Sequence, residues 1–246
     1  MFDPHARFRQ QARWTRALRD YLFRETGLRS ARRILEVGCG TGAILADVPP
    51  EAPPPHGLDL NLSRLLRARI HAPAALLTCG DARALPYPSH TFDITFCHFT
   101  LMWVPNPLQT LREMRRVTRR GGHVLALAEP DYSRRVDEPP ELAPLGRWQA
   151  DALRRQGADP TLGGRLADLF VQAGLRLVET GELAQGPGDA LTPEERELEW
   201  AVLEADLAGF VPAETLSRLK KLDELAWASG ERVLHVPTFF AWGRVP

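Results

Sequence analysis

The sequence has few cysteines, and their spacing fits neither a zinc site nor a set of disulfides. Cys39, Cys79 and Cys97 form an odd set without any CxxC pair. Structural zinc sites need closely spaced ligand pairs, and small disulfide-stabilised domains need an even, denser set. We therefore expect no metal site, no disulfide framework and a reducing compartment, with a metal or redox cluster that also uses His56 or His98 as the alternative.

The chain also lacks a long apolar run and a net charge. No stretch approaches the ~20 apolar residues that cross a bilayer, and the opening MFDPHARFRQQARW has no apolar signal-peptide segment. Lys and Arg total 31, as do Asp and Glu, so the formal net charge is zero. Without a global basic field, nucleic acid is a disfavoured partner. We expect a cytoplasmic protein that has no membrane span.

The chain is long enough for a core and shows an alternating pattern of elements. Its 246 residues are 44% hydrophobic. Short β-like runs alternate with helical or turn segments, which predicts parallel strands joined by right-handed crossovers. The predicted strands are 33–37, 56–60, 75–79, 92–97, 122–128, 174–180 and 235–244, and the predicted helices are 7–26, 107–119, 161–173, 192–208 and 212–228, with a charged, helical excursion over 131–160.

The most informative segment joins the first predicted strand to a glycine-rich turn. Gly38, Gly40 and Gly42 follow the apolar strand directly and are expected to open a helix. Glycine tolerates positive φ and has no Cβ, so a ligand can lie against bare backbone there. Asp59 ends the second predicted strand, and Asp81 follows the third. A ligand site is therefore expected at the carboxyl edge of the sheet.

Two kinds of ligand fit this arrangement of glycines and acids. A dinucleotide usually takes GxGxxG, whereas the third glycine here comes one residue early and Ala43 follows it. A dehydrogenase could accept Ala43, yet it would leave Glu36 and Asp81 unexplained. An adenosyl ligand with a zwitterionic tail would use Glu36 at the ammonium, Asp59 at the ribose and Asp81 at the adenine amino group.

Five ordered blocks of the sequence resemble the class I S-adenosylmethionine-dependent methyltransferases, in the methyltransferase type 11 branch with the ubiquinone and menaquinone enzymes. The blocks are ILEVGCGTG at 34–42, GLDL at 57–60, GDARALPYPSHTFD at 80–93, ITFCHFTLMWVPNP at 94–107 and LREMRRVTRRGGHVLALAEP at 111–130. The resemblance implies an α/β, Rossmann-like fold. It also implies a seven-stranded, mostly parallel sheet in the order 3-2-1-4-5-7-6, with the last strand antiparallel.

The resemblance also implies a division of the chain. One methyltransferase domain is expected over 1–246, with an N-terminal helical cap at 1–29 and a cofactor-binding half at 30–130. Helical insertions at 131–160 and 186–234 are expected to form a lid over the substrate. The large aromatic residues of these insertions are expected to pack between helices, with an apolar lid as the alternative: Trp148, Trp200, Phe210 and Trp227.

Carried over position by position, the resemblance implies a set of S-adenosyl-L-methionine contacts. Gly38, Cys39, Gly40 and Gly42 would line the methionine and ribose side, with Glu36 near the ammonium. Asp59 would hold the ribose diol, Leu60 would lie against adenine, and Asp81 and Ala82 would read the adenine edge. Cys97 would offer its carbonyl to the ammonium, and His98 would lie near the sulfonium methyl. The arginines of the opening helix are expected on a solvated face, although one of them could reach the cofactor carboxylate.

The implied function is methyl transfer to the O, N or C nucleophile of a small acceptor. The sulfonium already makes the methyl group electrophilic, so alignment matters more than acid–base chemistry. For a hydroxyl acceptor, a general base helps by roughly 10²–10⁴-fold, and His98 is the candidate by position and ordinary pKa. A merely packed His98, a non-catalytic adenosyl-binding protein and an RNA methyltransferase remain as alternatives.

Overall fold

The computed structural model describes residues 3–183 and 191–246, so positions 186–190 of the second expected insertion lie outside the described residues. Within that part of the chain, seven strands form one sheet in the order β3-β2-β1-β4-β5-β9-β7. The strands are β1 Ile34–Val37, β2 His56–Asp59, β3 Leu76–Cys79, β4 Phe92–Cys97, β5 Thr118–Pro130, β7 Arg176–Glu182 and β9 Thr238–Arg244. Because β7 and β9 are the sixth and seventh strands of this sheet, the expected order is confirmed.

The directions of the strands also agree with expectation. Strands β1 to β5 pair in parallel, and β9 is antiparallel to both β5 and β7. All four residues of β1 are buried, including Glu36. A central strand of a parallel sheet is covered on both faces and is normally apolar throughout, so a carboxyl group there is unusual.

Eight α-helices accompany the sheet in the described ranges. They are α1 Pro4–Trp14, α2 Arg16–Glu25, α3 Leu62–His71, α4 Pro107–Val117, α5 Ala143–Arg155, α6 Leu166–Gln172, α7 Pro193–Leu207 and α8 Ala213–Ser229. Several of these helices begin with side-chain caps. Asn106 accepts a hydrogen bond from the backbone N–H of Gln109, and Thr192 and Glu195 form a reciprocal capping box. None of the described helices is long and apolar enough to cross a membrane.

Three local predictions are wrong. The single helix over 7–26 is two helices, because Thr15 leaves helical geometry (φ −99°, ψ 4°). The glycine turn opens no α-helix, only a 3-10 turn at Leu45–Asp47, since the prolines that follow cannot continue a helix. A two-stranded ribbon of β6 Val136–Glu138 and β8 Val233–His235 forms inside regions expected to be mainly helical.

The core has a layer on each side of the sheet. On one side, Leu111 and Met114 of α4 and Phe170 of α6 pack against strand residues such as Leu35. On the other side, Leu22 and Phe23 of α2 pack against Ile34, Ile94 and Phe96. The N-terminal helices are therefore part of the main core, and the carboxyl edge of the sheet lies beside them.

Helices α5, α7 and α8 form a second small core, which we call the helical cap. Trp200 is buried there among leucines, and Trp148 and Phe210 pack against the same cluster, as expected for packing residues. A buried ion network links the cap to β6: Arg232 pairs with Asp137 and Asp223, and Trp200 Nε1 donates to Asp223 at 2.7 Å. The cap therefore contains fully desolvated charges.

Replacing Arg232 by Met should destabilise the protein by about 3–5 kcal/mol, because two buried carboxylates lose a cationic partner. The control Arg154→Met removes an exposed ion pair with Asp151 and should change stability by only about 0.5 kcal/mol. Urea unfolding followed by circular dichroism measures both free energies. Equal effects of the two substitutions would contradict a structural role for the buried network.

Candidate functional site

The glycine bend after β1 requires glycine at each of its three positions. Gly38, Gly40 and Gly42 have φ values of +75°, +53° and +81°, in the left-handed region that side chains disfavour. A Cβ on Gly38 would lie 2.3 Å from Cγ2 of Thr100, which is far inside contact distance. The backbone N–H groups of Gly38 and Cys39 donate to the carbonyl of Leu58, which ties the bend to β2.

Asp59 lies directly against this bend. Its Oδ2 accepts a hydrogen bond from the backbone N–H of Gly40 at 2.8 Å, and its Oδ1 accepts one from Asn61 N at 2.8 Å. The next residue, Leu60, has 71% of its surface exposed although it follows a buried strand. A carboxylate and an apolar side chain therefore stand side by side at the carboxyl end of β2.

Glu36 is the least satisfied group near the bend. It is 2% exposed, and its Oε2 has no hydrogen-bond partner. Burial raises the pKa of Glu36 to about 8; the charge of Arg19 opposes this shift and that of Asp59 adds to it. A buried carboxyl group with an unpaired oxygen is costly, and it is typical of a site completed by a cation or a donor from a ligand.

The third acid is placed differently from the first two. Asp81 follows β3, and the N–H of the preceding Gly80 donates to the backbone carbonyl of Asp59 at 3.1 Å. The Asp81 carboxylate is partly exposed and accepts from the Arg83 side chain at 2.7 Å, which holds its pKa below the usual range. Ala82 is partly buried against the core. The acid is thus at the expected edge, but its oxygens face Arg83.

Cys97 and His98 end β4 at the same edge. Burial raises the pKa of the thiols of Cys97 and Cys39, so both are packed, neutral groups. His98 Nε2 lies 3.0 Å from the Thr15 hydroxyl, and burial followed by the charge of Arg19 lowers its pKa to about 3. The ring is neutral at physiological pH. Burial thus disfavours the protonated ring, and the general-base role of His98 stays a prediction.

The sequence analysis missed how closely the N-terminal helices cover the site. The Phe8 ring lies 3.0 Å from the position of a Cβ on Gly40, and His5 Nδ1 lies 2.7 Å from the Thr41 hydroxyl. The Arg19 side chain is 3% exposed and pairs with Asp47 at 2.7 Å, and Arg7 is also buried, so the solvated-face prediction is wrong for these two residues. The missed signal is the i, i+3, i+7, i+10 spacing of Ala12, Thr15, Arg19 and Leu22, which places Arg19 on the buried face.

Glu129 is a second missed residue. It lies in β5, is fully buried, and accepts hydrogen bonds from the backbone N–H groups of Thr100, Leu101 and Met102 at 2.9, 2.7 and 3.1 Å. Burial raises its pKa to about 7, although these three bonds oppose the shift. Glu129 therefore fixes the loop after His98. The available signal was a single acid near the end of an otherwise apolar strand.

A family model described as a methyltransferase domain matches residues 35–126. A phosphatidylethanolamine N-methyltransferase from Cereibacter sphaeroides is 35% identical over 146 residues, which cover 53% of this chain and 70% of that protein. The ubiquinone/menaquinone biosynthesis C-methyltransferase UbiE from Roseobacter denitrificans is 34% identical over 122 residues, covering 46% of this chain and 47% of that protein.

The chain belongs to the class I S-adenosylmethionine-dependent methyltransferases. Its cofactor is therefore S-adenosyl-L-methionine. The chain spans between about a third and a half of the length of several other curated relatives.

A solved structure agrees with this assignment at the level of the fold. The crystal structure of the [4+2]-cyclase SpnF superimposes with a TM-score of 0.62 at 21% identity, covering 94% of this chain and 81% of that chain. At this identity the likeness concerns the fold alone.

Gly38→Ala should destabilise this methyltransferase by about 2–5 kcal/mol, because a left-handed backbone strain is added to a clash with Thr100. Gly209→Ala is the matched control, since Gly209 has a φ of +72° and open space around its Cβ position. It should cost only about 1–2 kcal/mol. Urea unfolding of both variants separates the backbone strain from the clash with Thr100. Equal losses of unfolding free energy would show that the close approach to Thr100 is unimportant.

Glu36→Gln should remove part of the pH dependence of stability. The folded-state pKa of Glu36, about 8, is raised above its unfolded value. The contribution of Glu36 to the free energy of unfolding is therefore complete below about pH 4.5 and is lost as the pH rises through 8. Relative to the Gln variant, the wild type should lose at most about 1.4 kcal/mol per pH unit between pH 5 and 8, the slope for one proton. Unfolding curves at several pH values measure this difference.

The exposed residue Glu141 provides the control for this experiment. Stability of Glu141→Gln should run parallel to that of the wild type across the same pH range. A Glu36→Gln curve that is also parallel to the wild type would show that Glu36 is ionised in the folded protein.

Proposed function

We propose that the protein transfers the methyl group of S-adenosyl-L-methionine to an O, N or C nucleophile of a small-molecule acceptor. The observation that carries this proposal is the buried carboxyl group of Glu36, whose Oε2 has no hydrogen-bond partner, beside Asp59 and the glycine bend. A ligand with an ammonium group and a sugar diol offers a cation to Glu36 and hydroxyl donors to Asp59. A phosphate-bearing dinucleotide would bring negative charge toward two carboxyl groups instead.

The residues at the sheet edge fit the cofactor group by group. In this proposal Glu36 receives the ammonium of the methionine part, and Asp59 accepts from the ribose hydroxyls while it keeps its bond from Gly40. Leu60 offers an exposed apolar side chain to the adenine ring. Asp81 and Ala82 receive the adenine edge, with the Asp81 oxygens shared with Arg83. Other assigned contacts are the backbone at Gly38, Cys39 and Gly42, the Cys97 carbonyl, and His98.

The bound cofactor supplies an electrophilic methyl group, so the protein mainly orients the reactants and excludes water. Helix α1 serves the second task, since Phe8 covers Gly40 and His5 contacts Thr41. A ligand that reaches Gly40 has to move Phe8. We infer that α1 lifts to admit the cofactor and returns to cover it.

We assign the acceptor to the space between the sheet edge and the helical cap. In this assignment residues 1–29 are the N-terminal helical cap and residues 30–130 hold the cofactor. Residues 131–160 and 186–234, which contain α5, α7 and α8, form the lid. Direct contacts support it. Arg13 pairs with Glu195 of α7 at 2.9 Å, Arg7 pairs with Glu199, and Gln10 Nε2 donates to the Glu195 carbonyl. Helix α1 thus touches both the glycine bend and the cap.

Two other functions are less well supported. An adenosyl-binding protein without turnover would use the same glycine bend and acids. Only an activity measurement distinguishes it from an enzyme. Methylation of RNA is disfavoured because a formal net charge of zero offers no broad field for a polyanion. The cytoplasmic location is part of the proposal.

Substitution of Asp59 by Ala should greatly weaken cofactor binding. S-adenosylmethionine or S-adenosylhomocysteine at about 100 times its Kd should stabilise the wild type by roughly 2.7 kcal/mol, or about 5–10 °C in Tm. The same concentration should shift Asp59→Ala by less than half as much, whereas Asp151→Ala, which changes an exposed acid, should respond like the wild type. Thermal-shift assays with NAD(P) as a further ligand test this.

An equal shift with NAD(P), or none with either adenosyl compound, would remove the proposed function. Transfer of a labelled methyl group to a panel of small acceptors then separates an enzyme from a binding protein.

A further inference from the structure

Helix α3 carries an exposed apolar surface. Leu62, Leu66 and Ile70 are 60%, 59% and 75% exposed, although they belong to a regular helix of ten residues. Successive members are four positions apart, so the three side chains form one row along the helix. A single exposed leucine is ordinary, whereas a continuous apolar row is typical of an interaction surface. We call this row the α3 stripe.

The other faces of α3 are in contact with the rest of the protein. Leu65 is buried in the cluster beneath the helix. On another side, Arg67 pairs with Asp3 at 2.5 Å, and the His71 ring stacks on His5 with centroids 3.5 Å apart. The start of α1 therefore packs on one side of α3 and the core on another. Within the described ranges, more than half of each side chain of the stripe stays open to solvent.

The surface beside the stripe is positively charged. Helix α3 contains three arginines and no acidic residue. Arg69 is exposed and follows Leu66 by three positions, so it borders the stripe. Arg67 is neutralised by Asp3, whereas Arg64 and Arg69 have no ion pair in the part of the chain that the structure describes. The helix thus joins an apolar row to cations that keep their charge available for a partner.

We propose that the α3 stripe and its arginines dock the protein on a bilayer surface that carries anionic lipid headgroups. Helix α3 lies parallel to that surface, its apolar row enters the boundary of the acyl chains, and its arginines remain among the headgroups. Apolar burial and attraction to anionic lipid are the two terms that hold an amphipathic helix in this position. This docking goes beyond the proposed methyl transfer and does not depend on it.

The charge and the shape of the stripe argue against the other occupants. In a two-fold dimer each surface meets itself, so two copies of α3 would bring arginine-rich helices together. A protein partner of ordinary affinity covers roughly 800 Å² on each side. The stripe offers only one row of three side chains that project into solvent. A bilayer requires no matching shape and supplies the negative charge, so it fits both features.

Vesicle sedimentation of the full chain without cofactor tests the role of charge. The protein should bind vesicles of phosphatidylcholine mixed with phosphatidylglycerol and bind pure phosphatidylcholine much more weakly. Arg69→Gln should weaken binding to the mixed vesicles about fivefold, as expected for one cation near a membrane surface. The control is Arg218→Gln, which removes an exposed arginine of α8 and should leave binding close to that of the wild type.

A second pair of variants tests the apolar row. Leu66→Gln combined with Ile70→Gln keeps good or moderate helix formers on an exposed face and should weaken binding to the mixed vesicles about tenfold or more. Leu225→Gln is the control, since Leu225 is 67% exposed on α8, outside the stripe, and its loss should not change binding. Urea unfolding checks that all these variants keep the stability of the wild type.

Three results would overturn the proposal. They are no binding of the wild type to the mixed vesicles, equal binding to both kinds of vesicle, and unchanged binding after the double substitution in the stripe. A wild-type dimer that becomes a monomer in the double variant, seen by analytical ultracentrifugation, would assign the stripe to a second copy and overturn it as well. Because no cofactor is present, each result is independent of whether S-adenosylmethionine binds.

Discussion

A cluster of arginines around Asp47 ties the N-terminal helices to the turn that follows the glycine bend. Asp47 lies in the short turn that follows the glycine bend, and Arg9, Arg16 and Arg19 converge on its carboxylate from α1 and α2. Only Arg19 is buried, so its pairing is shielded from solvent and is the strongest of the three contacts. Because Asp47 comes a few residues after Gly42, the same short segment orders the bend and fastens the helices that cover it.

The candidate site combines this cover with two acids that the sheet desolvates. Glu36 lies in the most buried strand, whereas Asp59 stands at a strand end where two backbone N–H groups can reach it. Burial without partners raises the pKa of a carboxyl group, and hydrogen bonds to its ionised form oppose that shift. The two acids therefore differ: Asp59 holds the bend together, whereas Oε2 of Glu36 has no hydrogen-bond partner.

Much of the fold was predictable because its signals are local. The glycine bend, the Asn106 cap and the Thr192–Glu195 capping box depend on residues a few positions apart, and the strand order followed from the family resemblance. The errors involve distant partners. Thr15, where the helix breaks, contacts His98, which is 83 residues away, and the buried Arg19 pairs with Asp47. No helical periodicity encodes such contacts, although the spacing of Arg19 could have identified its face.

Helix α1 connects the two halves of the proposed reaction site. Its His5 and Phe8 contact the glycine bend, whereas its Arg7 and Arg13 pair with acids of α7. In the proposed function, a movement of α1 that admits the cofactor would therefore strain or break its contacts with the cap. Coupling of this kind follows from one rigid element that contacts both sites, because each ligand biases the same movement. Thr15 stands at the end of that element, so any shift of α1 also reaches the contact between Thr15 and His98.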